Sequence, residues 1–179
     1  MIFTTRSMLV AAAAIACTLP LAGCINSAAP ILTDSQQMFG PQATFQLYSL
    51  RNGLATSPEQ VTFAWDGKAY VRKSGGLKDV QAFSAHPFEG GDTIIQSIPA
   101  KKTGMVEYAV MHELTKGVYQ IAVIDEDDAD QAARTAGCKH PGGVACRIET
   151  REQLFTFARA TAAKKNGSLA VRLGDAERR

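Results

Sequence analysis

The chain has 179 residues, of which 46% are hydrophobic and 20% charged, and its 19 Lys and Arg against 17 Asp and Glu give a formal net charge of +2. This near-neutrality argues against nucleic acid as a partner. No basic stripe interleaved with aromatics is present, and Lys101-Lys102 and Lys164-Lys165 are isolated pairs of the kind found on solvated turns and helix ends.

Arg6 is the only charged residue before Asp34. The strongly apolar run from Met8 to Ala16 is shorter than the roughly 20 residues a spanning helix needs, and Cys17, Thr18, Pro20 and Gly23 break its continuation. Residues 1–23 therefore read as a cleaved export signal. At its end, Leu21-Ala22-Gly23-Cys24 resembles the lipobox of bacterial lipoproteins. The resemblance covers only the first two dozen residues. It implies cleavage before Cys24, a diacylglyceryl thioether on its sulfur, and a mature chain fixed to a membrane through that lipid. Two acyl chains, at about 0.8 kcal/mol per buried methylene, make the attachment stable. Cys17, the rival site, follows Ala14-Ile15-Ala16 without the preferred leucine. Ile25 rather than Asp after the modified cysteine implies, by analogy with the enterobacterial sorting rule, the outer membrane of a Gram-negative bacterium.

Loss of the signal removes one charge, Arg6, and leaves about 155 residues, the size of one ordinary domain with a real core. If Cys17 leaves with the signal and Cys24 carries lipid, Cys138 and Cys146 remain, and Pro141-Gly142-Gly143 between them can reverse the chain. Their disulfide would contribute about 2 to 3 kcal/mol across so short a loop. The competing metal site of Cys138, His140 and Cys146 lacks a fourth ligand and the two-residue cysteine spacing of zinc knuckles, so neither a metal nor a cofactor is expected.

Residues 24–42 mix Ala, Pro, Ser, Asp and Gln without a clear period and read as a tether, although Ile31, Leu32, Met38 and Phe39 can lie against the domain. The globular domain is expected over 43–179. Thr44 to Leu50 has strand character and ends at Asn52-Gly53. Val61 to Trp65 and Ala69 to Arg72 flank Asp66-Gly67, which suits a hairpin because it accepts positive φ. Val80 to His86 and Thr93 to Ile98 form a second hairpin around Glu89-Gly90-Gly91-Asp92. Val106, Tyr108, Val110, His112 and Leu114 alternate and join Val118 to Ile124 through Thr115-Lys116-Gly117. Asp125 then caps a first helix with Ala129, Ala132, Ala133 and Ala136 on one face. Thr150 and Gln153 make a capping box for a second, whose buried face is Leu154, Phe157, Ala158 and Thr161. Leu169, Val171 and Leu173 alternate as a final strand. The fold class is α+β: an antiparallel meander of about six or seven strands, open or curled into a barrel, two helices in the C-terminal half, and the last strand.

Catalytic candidates fail on spacing. His112-Glu113 begins like a zinc-protease motif, but Lys116 stands where the second histidine belongs and the segment alternates like a strand. His86 precedes Pro87, a context for extended backbone rather than proton transfer. Asp125, Glu126, Asp127, Asp128 and Asp130 lack the spacing of a calcium loop and suit the start of a helix. Phe63, Trp65, Tyr70, Phe83 and Phe88 fit core packing first, and a ligand cavity or partner surface second. The function expected from these residues is a non-catalytic binding or structural domain with an envelope protein or cell-wall partner. The alternatives are a periplasmic small-ligand carrier or sensor, and after it an envelope enzyme.

Overall fold

A computed structural model describes residues 25–48, 50–51, 54–55, 58–75, 81–99, 105–124, 146–164 and 167–173. Its strands are β1 (Asn26–Ser27), β2 (Gln42–Tyr48), β3 (Leu50–Arg51), β4 (Leu54–Ala55), β5 (Glu59–Trp65), β6 (Tyr70–Gly75), β7 (Ala82–Pro87), β8 (Thr93–Ile98), β9 (Val106–Thr115), β10 (Val118–Val123) and β11 (Ser168–Leu173), with helix α1 (Arg151–Lys164) before the last. In the series β2, β5, β6, β7, β8, β9 and β10, each strand pairs antiparallel with the next. The expected meander is therefore present, and β11 closes it by pairing with β10 on one side and β2 on the other. The result is an eight-stranded up-and-down barrel, with β1 added at the end of β9 and β3–β4 forming a separate ribbon.

The turns follow from their residues. Asp66 folds its carboxylate back to accept the amides of Lys68 (2.9 Å) and Ala69 (2.8 Å), which holds its pKa below the ordinary carboxylate value and fixes the β5–β6 hairpin, with Gly67 at φ 102°. Lys116-Gly117 joins β9 to β10, and Gly117 at φ 78° supplies the left-handed residue that the two-residue loop requires. A register shift at Thr62/Phe63 in the β5–β6 pair adds local twist. Gly75 (φ 100°) sits so close to that kink that a Cβ there would meet the Gln60 carbonyl oxygen at 2.0 Å.

Two cores result. Inside the barrel lie Phe39, Phe45, Val61, Phe63, Tyr70 and Phe83, with Ala43, Ala85, Met111 and Ala170. Outside it, the outward residues of β8 and β9 (Ile94, Val106, Tyr108, Val110) pack with Leu154, Phe157 and Ala158 of α1, and Ile25, Ile124 and Ile148 complete the cluster. The helix is built as its sequence predicts. Gln153 N donates to Thr150 Oγ1 (3.2 Å), Thr150 N donates to Gln153 Oε1 (3.2 Å), and Leu154, Phe157, Ala158 and Thr161 are its buried residues. The other expected helix, from Asp125 to Ala136, falls outside the described residues. Among those described α1 is the one α-helix, where two were expected.

Residues 25–42 differ from the expected tether. Ile25, Leu32 and Phe39 are buried in the two cores, and Asn26–Ser27 pair with Glu107 and Val106 of β9. The segment is a strap that starts beside β9, crosses the outer faces of β8 and β7, and ends by plugging the barrel. Gln96 holds its middle: Oε1 accepts the amides of Ile31 and Leu32 (3.0 Å each) and Nε2 donates to the Leu32 carbonyl (3.0 Å). A buried glutamine in the barrel wall is fully used in this way, which offsets its desolvation.

Candidate functional site

The antiparallel topology puts the C-terminal ends of β2, β6, β8 and β10 and the N-terminal ends of β5, β7, β9 and β11 at one end of the barrel. The opposite end is closed. Phe39 lies across it with its ring against Phe45 (centroids 5.4 Å, T-shaped), Tyr70 (5.4 Å) and Tyr119 (5.7 Å). The Tyr70 hydroxyl accepts the Phe39 amide (2.6 Å) and donates to the Gly40 carbonyl (3.0 Å). Burial pushes the Tyr70 phenol above its ordinary pKa, so it stays a neutral donor.

Toward the other end, whose connections lie largely outside the described residues, the barrel holds an apolar cavity of about 280 Å³. Phe45, Phe63, Phe83, Ile95, Met111 and Ile121 line its depth. Its rim carries Leu47, Val123 and the polar residues Ser97, Glu107 and Ser168, all at strand ends. The space exists because rings at the bottom meet edge to face, as Phe63 and Phe83 do (centroids 4.8 Å, interplanar 77°), and leave the axis above them open. Eight strands enclose an interior just wide enough to be filled by side chains or to hold one small ligand. Outward positions of β2 and β5 are polar: Thr44 faces Thr62 and Gln46 faces Gln60. A membrane-spanning barrel has the opposite pattern, apolar outside and polar within.

A second polar arrangement lies on the outer wall. Ser84 and His86 project from the same face of β7, with Ser84 Oγ 2.8 Å from His86 Nε2, and His86 Nδ1 lies 3.4 Å from Asp34 Oδ1 on the strap. Asp34 Oδ2 is 3.6 Å from Arg151 of α1. The order Asp, His, Ser is that of a hydrolytic triad, but Ser84 and His86 are buried under the strap and Gln96 Nε2 also donates to Ser84 Oγ (3.1 Å). A nucleophile needs access to substrate and oxyanion donors, and this serine is covered. Burial pulls the His86 pKa below its ordinary value, with Asp34 opposing that shift. The row fastens the strap to the barrel.

The structure separates the residues singled out by sequence. Phe63 and Phe83 line the cavity, Tyr70 and Trp65 pack at the closed end (5.0 Å), and Phe88 lies outside against Phe155 of α1 (5.1 Å). His112 is exposed and paired with Asp92 at 2.5 Å, with no metal-binding cluster beside it among the described residues. Among those residues no three His, Cys, Asp or Glu side chains gather as a metal site requires, and no helix is long and apolar enough to cross a membrane. Cys146 is fully buried in the outer core and is half of a disulfide. Cys138, Leu21, Ala22, Gly23, Cys24, His140 and the acidic run Asp125 to Asp130 lie outside the described residues. Sequence reading missed Phe45, Ile95, Met111 and Ile121 as cavity residues, although their alternation within strands marks them as inward-facing. It also missed Phe39 as the plug, for which the strap offers no periodic signal.

Comparison with protein-family models, with curated proteins and with solved structures returned no match to this chain.

Proposed function

We propose that this chain is a lipid-anchored envelope protein, attached through Cys24, whose barrel binds a small apolar ligand and performs no chemistry on it. Of the expectations raised by the sequence, this favours the carrier or sensor over a domain that docks on an envelope protein or the cell wall. The observation that carries it is the cavity: concave, apolar in its depth, closed at one end, and furnished with a few polar groups at its rim. Exposed large apolar side chains, by contrast, are dispersed. Among the described residues they are Met38 and Leu114 toward the plugged end and Met105 and Val123 toward the other.

The remaining cysteines belong to the same proposal. Pairing of Cys138 with Cys146 leaves Cys24 free to carry lipid, whereas a bridge from Cys146 to Cys24 would leave no thiol for the thioether. Peptide mapping of the protein purified from membranes is expected to recover the Cys138–Cys146 bridge and a diacylated N-terminal Cys24.

Titration with a fluorescent medium-chain fatty acid tests the cavity. Ala109 lines it between Ile95 and Val123, so Ala109→Phe places a ring in the ligand space. The full-length protein is expected to bind the probe with one-to-one stoichiometry, and the variant to lose at least tenfold in affinity while keeping its thermal midpoint within a few degrees. Equal binding by the two proteins would place the probe elsewhere and remove the proposal.

A further inference from the structure

We infer that the cavity selects its occupant by the polar head: it takes a slender amphiphile whose head donates hydrogen bonds, an amine before an alcohol, and Glu107 disfavours a carboxylate. The inference rests on the cavity reading, makes no use of a lipid at Cys24, and adds the class of ligand.

The place of Glu107 follows from the alternation of β9. Val106, Tyr108 and Val110 are buried in the outer core, so Glu107, Ala109 and Met111 project to the barrel side, and all three line the cavity. Residues two apart on a strand are about 7 Å apart, which puts Glu107 about 14 Å from Met111 along β9. The lining between them is apolar. Ile95 of β8 and Val123 of β10 flank Ala109, and Ile121 lies beside Met111. A volume of about 280 Å³ sits near the lower bound of roughly 300 Å³ for ligand pockets, and suits one alkyl chain or small ring system rather than a pair of chains.

The polar groups gather at one end of that wall. Glu107 is the one charged side chain among the described residues that line the cavity, and no ion pair among the described residues engages it. Ser97 stands beside it, its hydroxyl accepting the Glu107 amide (2.8 Å). Ser168 of β11, opposite Ile121, adds a second hydroxyl to the lining. A hydroxyl gives or takes a hydrogen bond, whereas a carboxylate only takes one, so the head that suits all three groups is a donor. An ammonium brings three N–H donors and the opposite charge, an alcohol brings one donor, and a carboxylate brings none and a like charge. Because Glu107 is exposed, each charge effect is modest: attraction of the amine and repulsion of the carboxylate, about threefold each, multiply to about tenfold. The apolar wall serves all three heads equally, so a fatty acid still binds, more weakly than the amine of the same chain.

The test is displacement of N-phenyl-1-naphthylamine, a neutral dye that fluoresces in apolar sites, from the full-length protein by decylamine, decanol and decanoate at low ionic strength. Decylamine is expected to displace it at about tenfold lower concentration than decanoate, with decanol between them and the gap narrowing as salt is added. Glu107→Gln keeps the shape of the side chain and is expected to bring the amine and the carboxylate within about twofold of each other, and Glu107→Lys to reverse their order. Val123→Lys sets an ammonium at the same end without altering Glu107, and is expected to reduce the amine-to-carboxylate ratio at least about threefold, which keeps the test sound if Glu107 variants unfold. Comparing this ratio between proteins cancels partition of the ligands into micelles or vesicles. Ala109→Phe is expected to weaken all three ligands by a common factor. A ratio unchanged in Glu107→Gln, or decanoate displacing the dye from the unsubstituted protein as well as decylamine does, overturns the inference and leaves the cavity reading standing, since the chain still binds. Failure of all three to displace the dye, together with equal fatty-acid binding by Ala109→Phe and the unsubstituted protein, removes both.

Discussion

Strands β8 and β9 bear a core on each face, and the two cores are made differently. Against α1 the fill is mostly aliphatic: Ile25, Ile94, Val106, Ile124, Ile148 and Leu154 are all at most 1% exposed. Branched aliphatic side chains on a helix and a sheet interdigitate and leave little free volume. Inside the barrel the fill is mostly aromatic: Phe39, Phe45, Phe63, Tyr70 and Phe83 meet edge to face or stacked, with Tyr70 on Phe83 at 5.1 Å. Flat rings converging on one axis close the bottom of the barrel and leave a cavity above them. The outer core therefore stabilises the molecule and holds the strap, while the inner core supplies a closed end and a site.

This comparison predicts unequal responses to substitution. The largest is at Phe157, which is 1% exposed in the outer core. Phe157→Ala is expected to cost about 3 to 5 kcal/mol in urea unfolding, since the deleted ring leaves a cavity that a helix packed on a barrel wall fills poorly. A loss below about 1 kcal/mol would show that the outer core is not the stabilising one. Next comes the helix start. Thr150→Ala removes the acceptor for the Gln153 amide, and is expected to cost about 1 kcal/mol with fatty-acid affinity unchanged, because the buried residues of α1 belong to the outer core and not to the barrel interior. A parallel fall in affinity would mean that the two cores are coupled through β9.

The smallest effect concerns pH and the strap. The folded state disfavours the charged form of His86, so the unfolded chain binds more protons between the folded pKa and the ordinary histidine value of 6.5. The His86 contribution to stability is therefore complete above about pH 6.5 and declines as pH falls from there through the folded pKa. The groups facing this ring are Asp34, which favours its charge, and Arg151, which opposes it. Urea midpoints measured from pH 7.5 down to 5 are expected to fall less steeply in His86→Gln than in the unsubstituted protein. Identical slopes in the two proteins would assign the pH dependence to other groups.

Much of the local architecture was legible because local rules governed it. Asp66-Gly67 and Lys116-Gly117 specify turns by their dihedral tolerance, and Thr150 with Gln153 specifies a helix start by reciprocal hydrogen bonds. Leu154, Phe157, Ala158 and Thr161 specify its buried face by helical spacing. The strap was illegible for the opposite reason. Ile25, Leu32 and Phe39 are too far apart to form a period, and each is buried by a different partner, so their meaning depends on surfaces made elsewhere. The same holds along β9. Val106, Tyr108, Val110, His112 and Leu114 alternate evenly, yet only the first three are buried, since α1 and the strap cover one half of that face.

The amino-acid sequence by itself determined the strands, the hairpins, the capped helix and the expectation of a lipidated start, because each depends on residues near one another along the chain. Closure of the barrel by β11 between β10 and β2, the plug at Phe39, the cavity above it and the position of the strap on the barrel wall were decided only in three dimensions. Those features join residues from distant parts of the chain, as where Leu173 of β11 lies beside Thr44 of β2. Their pairing is set by which surfaces remain uncovered once the local elements have formed.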